Sequence, residues 1–378
     1  MARPTVPVTH SVVQWAIRES GYDIDALAKK LHISADTLRG WMKDTQPRLT
    51  QLRALAEKIK RPLATFLLPK PPATVAPAVE FRSPPGAERR QLNPTERRYL
   101  REAARLQRFL SWIAREVEEK PADLPKERTQ VGAETVAKRM RELVGIKVKE
   151  QLEWPSASAA FAAWRQRLEE RGVLVLVLSM GKESCRGFSL WEDYVPLIAV
   201  NTTGWQPEAR TFTLFHEYGH LATRTNSACL QGRLRLTSIA ADSPERWGEE
   251  FAAAFLMPAD DVHRIVKQLG ELPPDVLSKA VAGHFSVSRA AAALRLVELG
   301  YLTWKDYEEL PRGEGRKGGG GKGRDRAQLR IDQYGSRATE LVGRGLEREL
   351  IGRSEVLDYF DVPEPSIERL IGSSSDNE

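Results

Sequence analysis

The residues best suited to chemistry are two histidines and a glutamate in the stretch His216-Glu-Tyr-Gly-His220. In a helix these histidines lie one turn apart, so both imidazoles leave the same face and can bind one cation. Glu217 lies beside them, where its carboxylate can take a proton from water without occupying a coordination position. The spacing predicts a helical metal site with its own general base. The alternative is a surface His/Glu pair on an ordinary amphipathic helix.

The flanking residues support a helix around this motif. Pro207 suits the first turn of a helix, and the following Glu208 suits the helix dipole. Gly219 costs about 1 kcal/mol of helix propensity relative to alanine, so we expect a close neighbour to pack there. The apolar residues that would hold the imidazoles in place are Phe212, Leu214, Phe215 and Leu221.

A catalytic zinc takes three protein ligands and leaves a position for water, so a third ligand should come from another element. Residues 243–245 read Ser-Pro-Glu, which predicts an N-cap, a first-turn proline and an acid at the start of a helix. Glu245 has the small Gly248 three places on and can approach another helix closely, so it is the predicted third ligand. Glu249, one turn later on the same face, is the alternative, whereas Glu250 points away.

Three strand-like segments precede the metal helix, at residues 173–178, 187–190 and 195–201. Pro196 interrupts the third segment, which predicts a position near a sheet edge. Such an edge can pair with an extended peptide and lay its backbone across the metal. The segments therefore predict an α+β domain with a peptide-accepting edge.

The N-terminal segment, residues 9–68, has the pattern of a compact all-helical unit. A helix ending at Leu31 is followed by His-Ile-Ser, with Ser34 as N-cap, and by a second helix over residues 35–41. Two short helices joined by such a turn are typical of a helix-turn-helix, in which the second helix enters the major groove.

Residues 18–34, Arg-Glu-Ser-Gly-Tyr-Asp-Ile-Asp-Ala-Leu-Ala-Lys-Lys-Leu-His-Ile-Ser, and the following Thr-Leu-Arg-Gly-Trp resemble the XRE family of Cro-like and phage-repressor-like domains. The resemblance implies DNA binding. Asp36 would repel phosphates while accepting a hydrogen bond from cytosine. A protein-docking module with a solvated basic face is the alternative. The candidate DNA-contacting residues are Ser34, Ala35, Asp36, Thr37, Arg39 and Lys43.

The histidine motif, followed by Glu245-Arg-Trp-Gly-Glu-Glu-Phe-Ala-Ala-Ala-Phe-Leu-Met-Pro258, resembles the ImmA/IrrE family of bacterial metallopeptidases. Members often carry an N-terminal XRE domain. The resemblance implies zinc on His216, His220 and Glu245, with Glu217 as general base. It also implies cleavage of XRE-type repressors in stress responses, phage immunity or mobile-element control. This chain has Gly-Glu at residues 248–249 where the family usually has Ala-Asn, which adds a competing carboxylate.

Amide hydrolysis also needs a hydrogen-bond donor for the oxyanion that develops on the scissile carbonyl. His284 and Tyr194 are the candidates, although each residue type is more often structural. His10, His32 and His263 belong to no visible cluster of chemical groups.

Composition indicates a soluble globular chain, since 41% of its 378 residues are hydrophobic and 29% are charged. The net charge is +6, and residues 1–70 carry an excess equal to that of the whole chain, which is compatible with nucleic-acid binding. No apolar run approaches membrane-spanning length, and the N-terminus lacks a secretory signal. Two cysteines, Cys185 and Cys229, favour a reducing compartment. We therefore expect a cytoplasmic protein without a membrane partner.

The predicted fold class is multidomain, with an all-α helix-turn-helix domain, an α+β zincin-like metallopeptidase domain and a helical C-terminal region. The second domain includes a second helix-turn-helix-like segment at about residues 278–303, which either accompanies the peptidase or simply covers its core. The predicted segments are the XRE-type domain at 1–70, a Pro-rich connector and helix at 71–130, the peptidase domain at 131–310, a Gly/basic linker at 311–324 and a helical tail at 325–378.

The predicted function is zinc-dependent endoproteolysis of a regulatory protein such as an XRE-type repressor, with DNA as a partner of the N-terminal domain. One alternative is a transcription regulator whose peptidase-like domain senses metal or a ligand. Another is an antitoxin-like interaction protein in which both modules dock partners.

Overall fold

A computed structural model of the chain describes residues 4–73, 92–229, 244–310 and 326–372. The chain divides into two compact units. The first comprises Met1–Pro77 and Arg90–Ala104, and the second comprises Ala78–Arg89 and Arg105–Glu378.

The first unit packs short helices around an apolar core that includes Trp15, Trp41 and Phe66. Gly21 adopts a left-handed conformation, φ 74°, and ends the first helix. The helices of this unit are α1 (His10–Ser20), α2 (Ile24–Leu31), α3 (Ala35–Trp41), α4 (Leu49–Lys58) and a 3-10 turn (Leu63–Leu67).

The turn between α2 and α3 has the predicted form. His32 takes a left-handed conformation with φ 55°, and the Ile33 amide donates to the Ala28 carbonyl over 3.1 Å. The Ser34 hydroxyl accepts a hydrogen bond from the Thr37 amide at 3.1 Å, so Ser34 is the N-cap of α3. These bonds fix how the chain leaves one helix and enters the next.

The second unit combines many helices with one small sheet. The helix α5 (Pro94–Glu116) contributes its first part to the first unit and the remainder to the second. The helices that precede the sheet are α6 (Ala133–Val144), α7 (Val148–Leu152) and α8 (Ala157–Glu170). The strands and the helix between them are β1 (Leu174–Leu178), β2 (Gly187–Leu190), β3 (Leu197–Asn201), α9 (Pro207–Ala222) and β4 (Ser227–Cys229).

The sheet has the order β1-β3-β2-β4, with β1 parallel to β3 and the other pairs antiparallel. The prediction that β3 lies at an edge is therefore wrong. Pro196 precedes the first residue of β3, so its missing amide removes no bond from the ladder, and its carbonyl accepts from the Leu174 amide at 2.8 Å. Among the described residues, β4 forms the outer strand next to β2, and no residue pattern predicted this strand.

The helix α9 packs against β2 and β3. Gly187 makes this approach possible, because a Cβ atom there would lie 2.6 Å from Thr213 Cγ2 and 2.7 Å from the Ala199 carbonyl oxygen. Gly219 has the close neighbour that its sequence position predicted, since a Cβ atom there would lie 2.9 Å from Phe251 Cδ1. Glycine thus brings α9 close to the sheet on one side and to the next helix on the other.

That next helix, α10 (Pro244–Leu256), packs on α9 and α6. Ser243, its predicted N-cap, lies outside the described residues. Buried side chains from other elements satisfy the carbonyl groups at its C-terminal end. The donors are Arg141 to the Phe255 carbonyl at 2.7 Å, Gln151 to the Leu256 carbonyl at 3.0 Å and Arg295 to the Met257 carbonyl at 2.9 Å.

The remaining helices also belong to the second unit. The C-terminal α15 packs against β1, and the Arg165 guanidinium donates both to the Val175 carbonyl at 2.7 Å and to the Asp332 carbonyl at 2.6 Å. The segment expected as a tail is thus packed against the sheet. These helices are α11 (Ala259–Leu269), α12 (Pro274–Phe285), α13 (Arg289–Glu298), α14 (Trp304–Glu309), α15 (Arg326–Tyr334), α16 (Ser336–Glu347), α17 (Arg353–Phe360) and α18 (Ile367–Gly372).

Within the described ranges, no helix has both the length and the apolar character needed to cross a bilayer.

Candidate metal centre

The last three turns of α9 are buried, and the motif lies within them. His216 and Glu217 are each 0% exposed and His220 is 3% exposed. The alternative of a surface His/Glu pair therefore does not describe this helix. The aromatic residues of α9 pack with α10 and α8, and Phe215 stacks on Phe255 with ring centroids 4.1 Å apart. The two imidazoles consequently project from a rigid, packed helix.

The structure brings together His216, His220 and Glu245, whose ligand atoms all lie within 4.8 Å of one another. The two Nε2 atoms are 3.1 Å apart. The Glu245 carboxylate approaches His216 Nε2 to 3.3 Å and His220 Nε2 to 3.6 Å. Donors of a tetrahedral zinc site with bonds of about 2.0–2.1 Å lie about 3.3 Å apart. This triangle therefore has the size that a zinc ion requires.

The charges at the centre also favour a cation. Burial acts to lower the pKa of His216, but the hydrogen bond with Glu245 and the charges of Glu249 and Glu245 raise it to about 9. Burial alone would raise the pKa of the Glu245 carboxyl, yet its bonds with His216 and His220 hold that pKa well below its usual range. Two buried imidazoles with carboxylates beside them form a donor set that suits a divalent metal.

Glu217 turns toward the sheet. Its Oε2 atom accepts a hydrogen bond from the Ser189 hydroxyl of β2 at 2.8 Å. Burial raises the pKa of the Glu217 carboxyl, while the nearby His216 and His220 act in the opposite direction. A carboxylate with a raised pKa, held at one oxygen, can accept and return a proton.

Strand β4 and the turn before it supply further polar partners. The Thr225 hydroxyl lies 3.2 Å from His220 Nδ1 and donates to the His220 carbonyl at 3.1 Å. The Ser227 hydroxyl donates to Glu245 Oε1 at 3.5 Å. Sequence reasoning missed Ser189, Thr225 and Ser227, because neither spacing nor residue type links them to the helical motif. The pairing of β2 with β4, which places Ser189 opposite Ser227, puts these two serines at the centre. Thr225 reaches the centre through the turn that ends α9, where its amide donates to the His220 carbonyl at 3.0 Å.

Gly248 is the point of closest approach between α10 and the two histidines. A Cβ atom there would lie 3.1 Å from His216 Cε1 and 3.3 Å from His220 Nε2. Glu249 lies on the other side of the His216 ring, with Oε1 3.8 Å from Nδ1. Glu245 and Glu249 therefore face opposite nitrogens of one imidazole.

The two candidate oxyanion donors lie on other elements than the three clustered residues. Tyr194 packs beneath Arg115 in the loop between β2 and β3, with the guanidinium 4.9 Å from its ring centroid. His284 is exposed in the last turn of α12. Within the described ranges, neither makes a hydrogen bond or ion pair with the three clustered residues.

The candidate DNA-contacting residues occupy α3 and the turns at its ends. Ser34, Asp36, Arg39 and Lys43 are exposed, whereas Ala35 and Thr37 are partly buried. The Arg39 guanidinium forms ion pairs with Asp25 at 3.1 Å and Asp36 at 3.0 Å. Two carboxylates of the first unit therefore partly neutralise the positive charge of Arg39.

A buried helix with two histidines one turn apart, joined by a glutamate of the next helix, defines a metallopeptidase-type centre. A protein-family model, the IrrE N-terminal-like domain of the M78 peptidases, matches residues 168–297. The match supports the resemblance to ImmA/IrrE peptidases for this segment, and it does not extend to the XRE-like residues. No curated protein matches the chain.

Proposed function

We propose that this chain is a zinc-dependent endopeptidase. The observation that carries the proposal is the convergence of His216, His220 and Glu245 with a buried Glu217 on the same helix. The family match of this segment points to a peptidase and covers all four residues. In this proposal the two histidines and Glu245 are the zinc ligands and Glu217 is the general base.

Each side chain then has a definite task. The two Nε2 atoms and Glu245 would hold a zinc ion, which would supply Lewis acidity to lower the pKa of water and to polarise a peptide carbonyl. Glu217 takes the proton of the attacking water and delivers it to the leaving nitrogen. The Ser189 hydroxyl fixes one carboxylate oxygen of this base. Tyr194 and His284 stay candidates for the oxyanion donor.

We propose that the substrate enters as an extended peptide beside β4. Within the described ranges, β4 pairs only with β2, and Ser227 of β4 reaches Glu245. A peptide added to the outer side of β4 would form backbone hydrogen bonds there and pass beside the three ligands. This placement replaces the expectation that β3 is the accepting edge.

The proposed substrate is a regulatory protein such as an XRE-type repressor, and the proposed role of the first unit is DNA binding through α3. The capped α2–α3 turn and the exposed polar residues of α3 support this role. Binding should weaken with salt and in the Arg39→Ala variant, because cationic side chains release counterions from DNA. If DNA binding weakens neither with salt nor in the Arg39→Ala variant, a protein-docking role for the first unit would be favoured instead.

Glu217→Gln is the decisive variant for the enzymatic role. It keeps the size of the side chain and all three ligands but removes the proton acceptor, so it should retain zinc and abolish cleavage. Glu250→Gln is the matched control, because Glu250 pairs with Arg246 rather than with the centre. Zinc content is measured by elemental analysis, and cleavage is scored after co-expression with XRE-type repressors encoded nearby.

Metal removal completes the test. Dialysis against a chelator should stop cleavage by the parent, and added Zn²⁺ should restore it. If Glu217→Gln cleaves as well as the parent does, Glu217 is not the general base. A parent that binds zinc and regulates without cleaving would instead be a regulator whose peptidase-like domain senses metal or a ligand.

A further inference from the structure

Two buried polar groups face each other just outside the predicted ligand triangle. His216 Nδ1 is buried without a hydrogen-bond partner. Glu249 is 8% exposed, and within the described ranges its carboxylate pairs with His216 and with no arginine or lysine. The two groups are separated by 3.8 Å, measured from Nδ1 to Oε1. His216 Nδ1 can donate a hydrogen bond, and the Glu249 carboxylate can accept one.

The need for a partner follows from imidazole chemistry. When Nε2 of a neutral imidazole is a metal ligand, the ring proton is on Nδ1, which must donate it. A buried N–H group without an acceptor costs about 1–3 kcal/mol. A buried carboxylate without a partner is costly as well. A single hydrogen bond between His216 and Glu249 would satisfy both groups.

We propose that Glu249 is a positioning residue that accepts the Nδ1 hydrogen of His216 and thereby presents Nε2 to the metal. This inference rests on the proposed zinc site. Glu249 is then not a competing ligand, because it faces Nδ1 while Glu245 faces Nε2. Gly248 brings α10 close enough for this contact, since a Cβ atom there would lie 3.2 Å from Nδ1.

His220 has its own partner at the equivalent nitrogen, because the Thr225 hydroxyl lies 3.2 Å from its Nδ1. The two ligand rings are thus oriented by different chemistry, a carboxylate for His216 and a hydroxyl for His220. A carboxylate partner raises the basicity of the ligand ring more than a neutral acceptor does. The metal affinity of His216 should therefore depend on the negative charge of Glu249, whereas that of His220 depends on a neutral hydroxyl.

The test measures zinc affinity by competition with a chromogenic chelator, so it does not depend on cleavage. Glu249→Leu removes the acceptor and should weaken zinc binding about 10–100-fold. Glu249→Gln keeps an acceptor of the same size without the charge and should fall between Glu249→Leu and the parent. Glu250→Gln, one position further along α10, should bind zinc as the parent does.

A second readout separates positioning from a structural role. Without zinc, the parent and Glu249→Gln should unfold at similar urea concentrations, whereas with zinc the parent should gain more stability. Equal zinc affinity in Glu249→Leu and the parent would overturn the proposal, as would equal weakening in Glu249→Gln and Glu250→Gln. A parent that binds no zinc would instead remove the proposed function itself. Loss of cleavage with unchanged zinc affinities would contradict only the positioning role.

Discussion

The segments 24–41 and 274–298 have nearly the same local structure and different surroundings. In each, a helix ends at a left-handed residue, with φ 55° at His32 and φ 54° at Ser286. In each, the amide of the following apolar residue donates over 3.1 Å to the carbonyl five residues earlier. A serine then caps the second helix, Ser34 in one case and Ser288 in the other. Both segments therefore share one turn.

The second helices differ in what surrounds them. In α3 the buried residues are Leu38 and Trp41, and the polar side chains of Asp36 and Arg39 are exposed. In α13 every residue from 291 to 296 is buried. Counting five residues on from the capping serine gives the exposed Arg39 in α3 and Ala293, 0% exposed, in α13. The same turn is thus followed by a helix with exposed polar residues in the first unit and by a buried helix in the second.

The difference shows that a helix-turn-helix pattern alone does not predict nucleic-acid binding. The second segment supports the metal centre, because Arg295 of α13 donates to the Met257 carbonyl that follows α10, the helix of Glu245. Of the two roles expected for this segment, covering the core is the one that its burial fits.

The largest effect on stability is expected when the residue found at one of the two equivalent positions, Arg39 of α3 and Ala293 of α13, is placed at the other. Ala293→Arg buries a guanidinium without a partner and should destabilise the second unit by more than about 4 kcal/mol. Arg39→Ala removes two exposed ion pairs, with Asp25 and Asp36, and should cost less than about 1 kcal/mol. Urea-dependent hydrogen exchange, read for peptides of each unit, measures both values. Similar costs would show that the two helices are equally buried.

Arg295→Met tests whether α13 supports α10 through its buried guanidinium. The substitution leaves the Met257 carbonyl without its donor and breaks the ion pair with Glu134. It should lower the free energy of unfolding by about 3 kcal/mol. Arg264→Met is the control, since Arg264 is half-exposed on α11, and it should change stability by less than about 0.5 kcal/mol. Equal losses in the two variants would contradict a supporting role.

The capping serines should behave alike despite their different surroundings. Ser34→Ala and Ser288→Ala each remove a hydroxyl that accepts from a backbone amide of the first turn. Each should cost about 1 kcal/mol in its own unit. Serine-to-threonine variants serve as controls, because threonine retains the capping oxygen. A threefold difference between the two alanine variants would mean that burial, not the cap, determines the cost.

The smallest effect is expected on DNA binding by the exposed helix. Asp36→Asn removes a negative charge and releases Arg39 from one of its ion pairs, so it should tighten DNA binding about two- to fivefold. Fluorescence anisotropy at two salt concentrations measures the change. The Ser288→Ala variant, altered in the buried segment, should leave DNA affinity unchanged. Weaker binding by Asp36→Asn would indicate that the carboxylate contacts a base.

The candidate metal centre was predictable where its chemistry lies within one helix. Spacing placed His216 and His220 on one face of α9, and the small Gly248 three places after Glu245 favoured Glu245 over Glu249 as the ligand from the next helix. The partners Ser189 and Ser227 were not predictable, because they reach the centre through strand pairing. Thr225 was not predicted either, because its contact with His220 depends on how the chain turns at the end of α9. The edge position of β3 was predicted wrongly from Pro196, since a proline ahead of a strand leaves its ladder intact.

The local structure follows from residues near one another in the chain. Short-range hydrogen bonds form the capped turns and the glycine-terminated helices, and the four-residue spacing of His216 and His220 places them on one helix face. Tertiary structure decided which of those surfaces stays exposed. It buried α13 while leaving the polar residues of α3 exposed, and it set Glu249 against Nδ1 while Glu245 faces Nε2. Burial depends on distant segments packing together, and no local pattern encodes which segments those are.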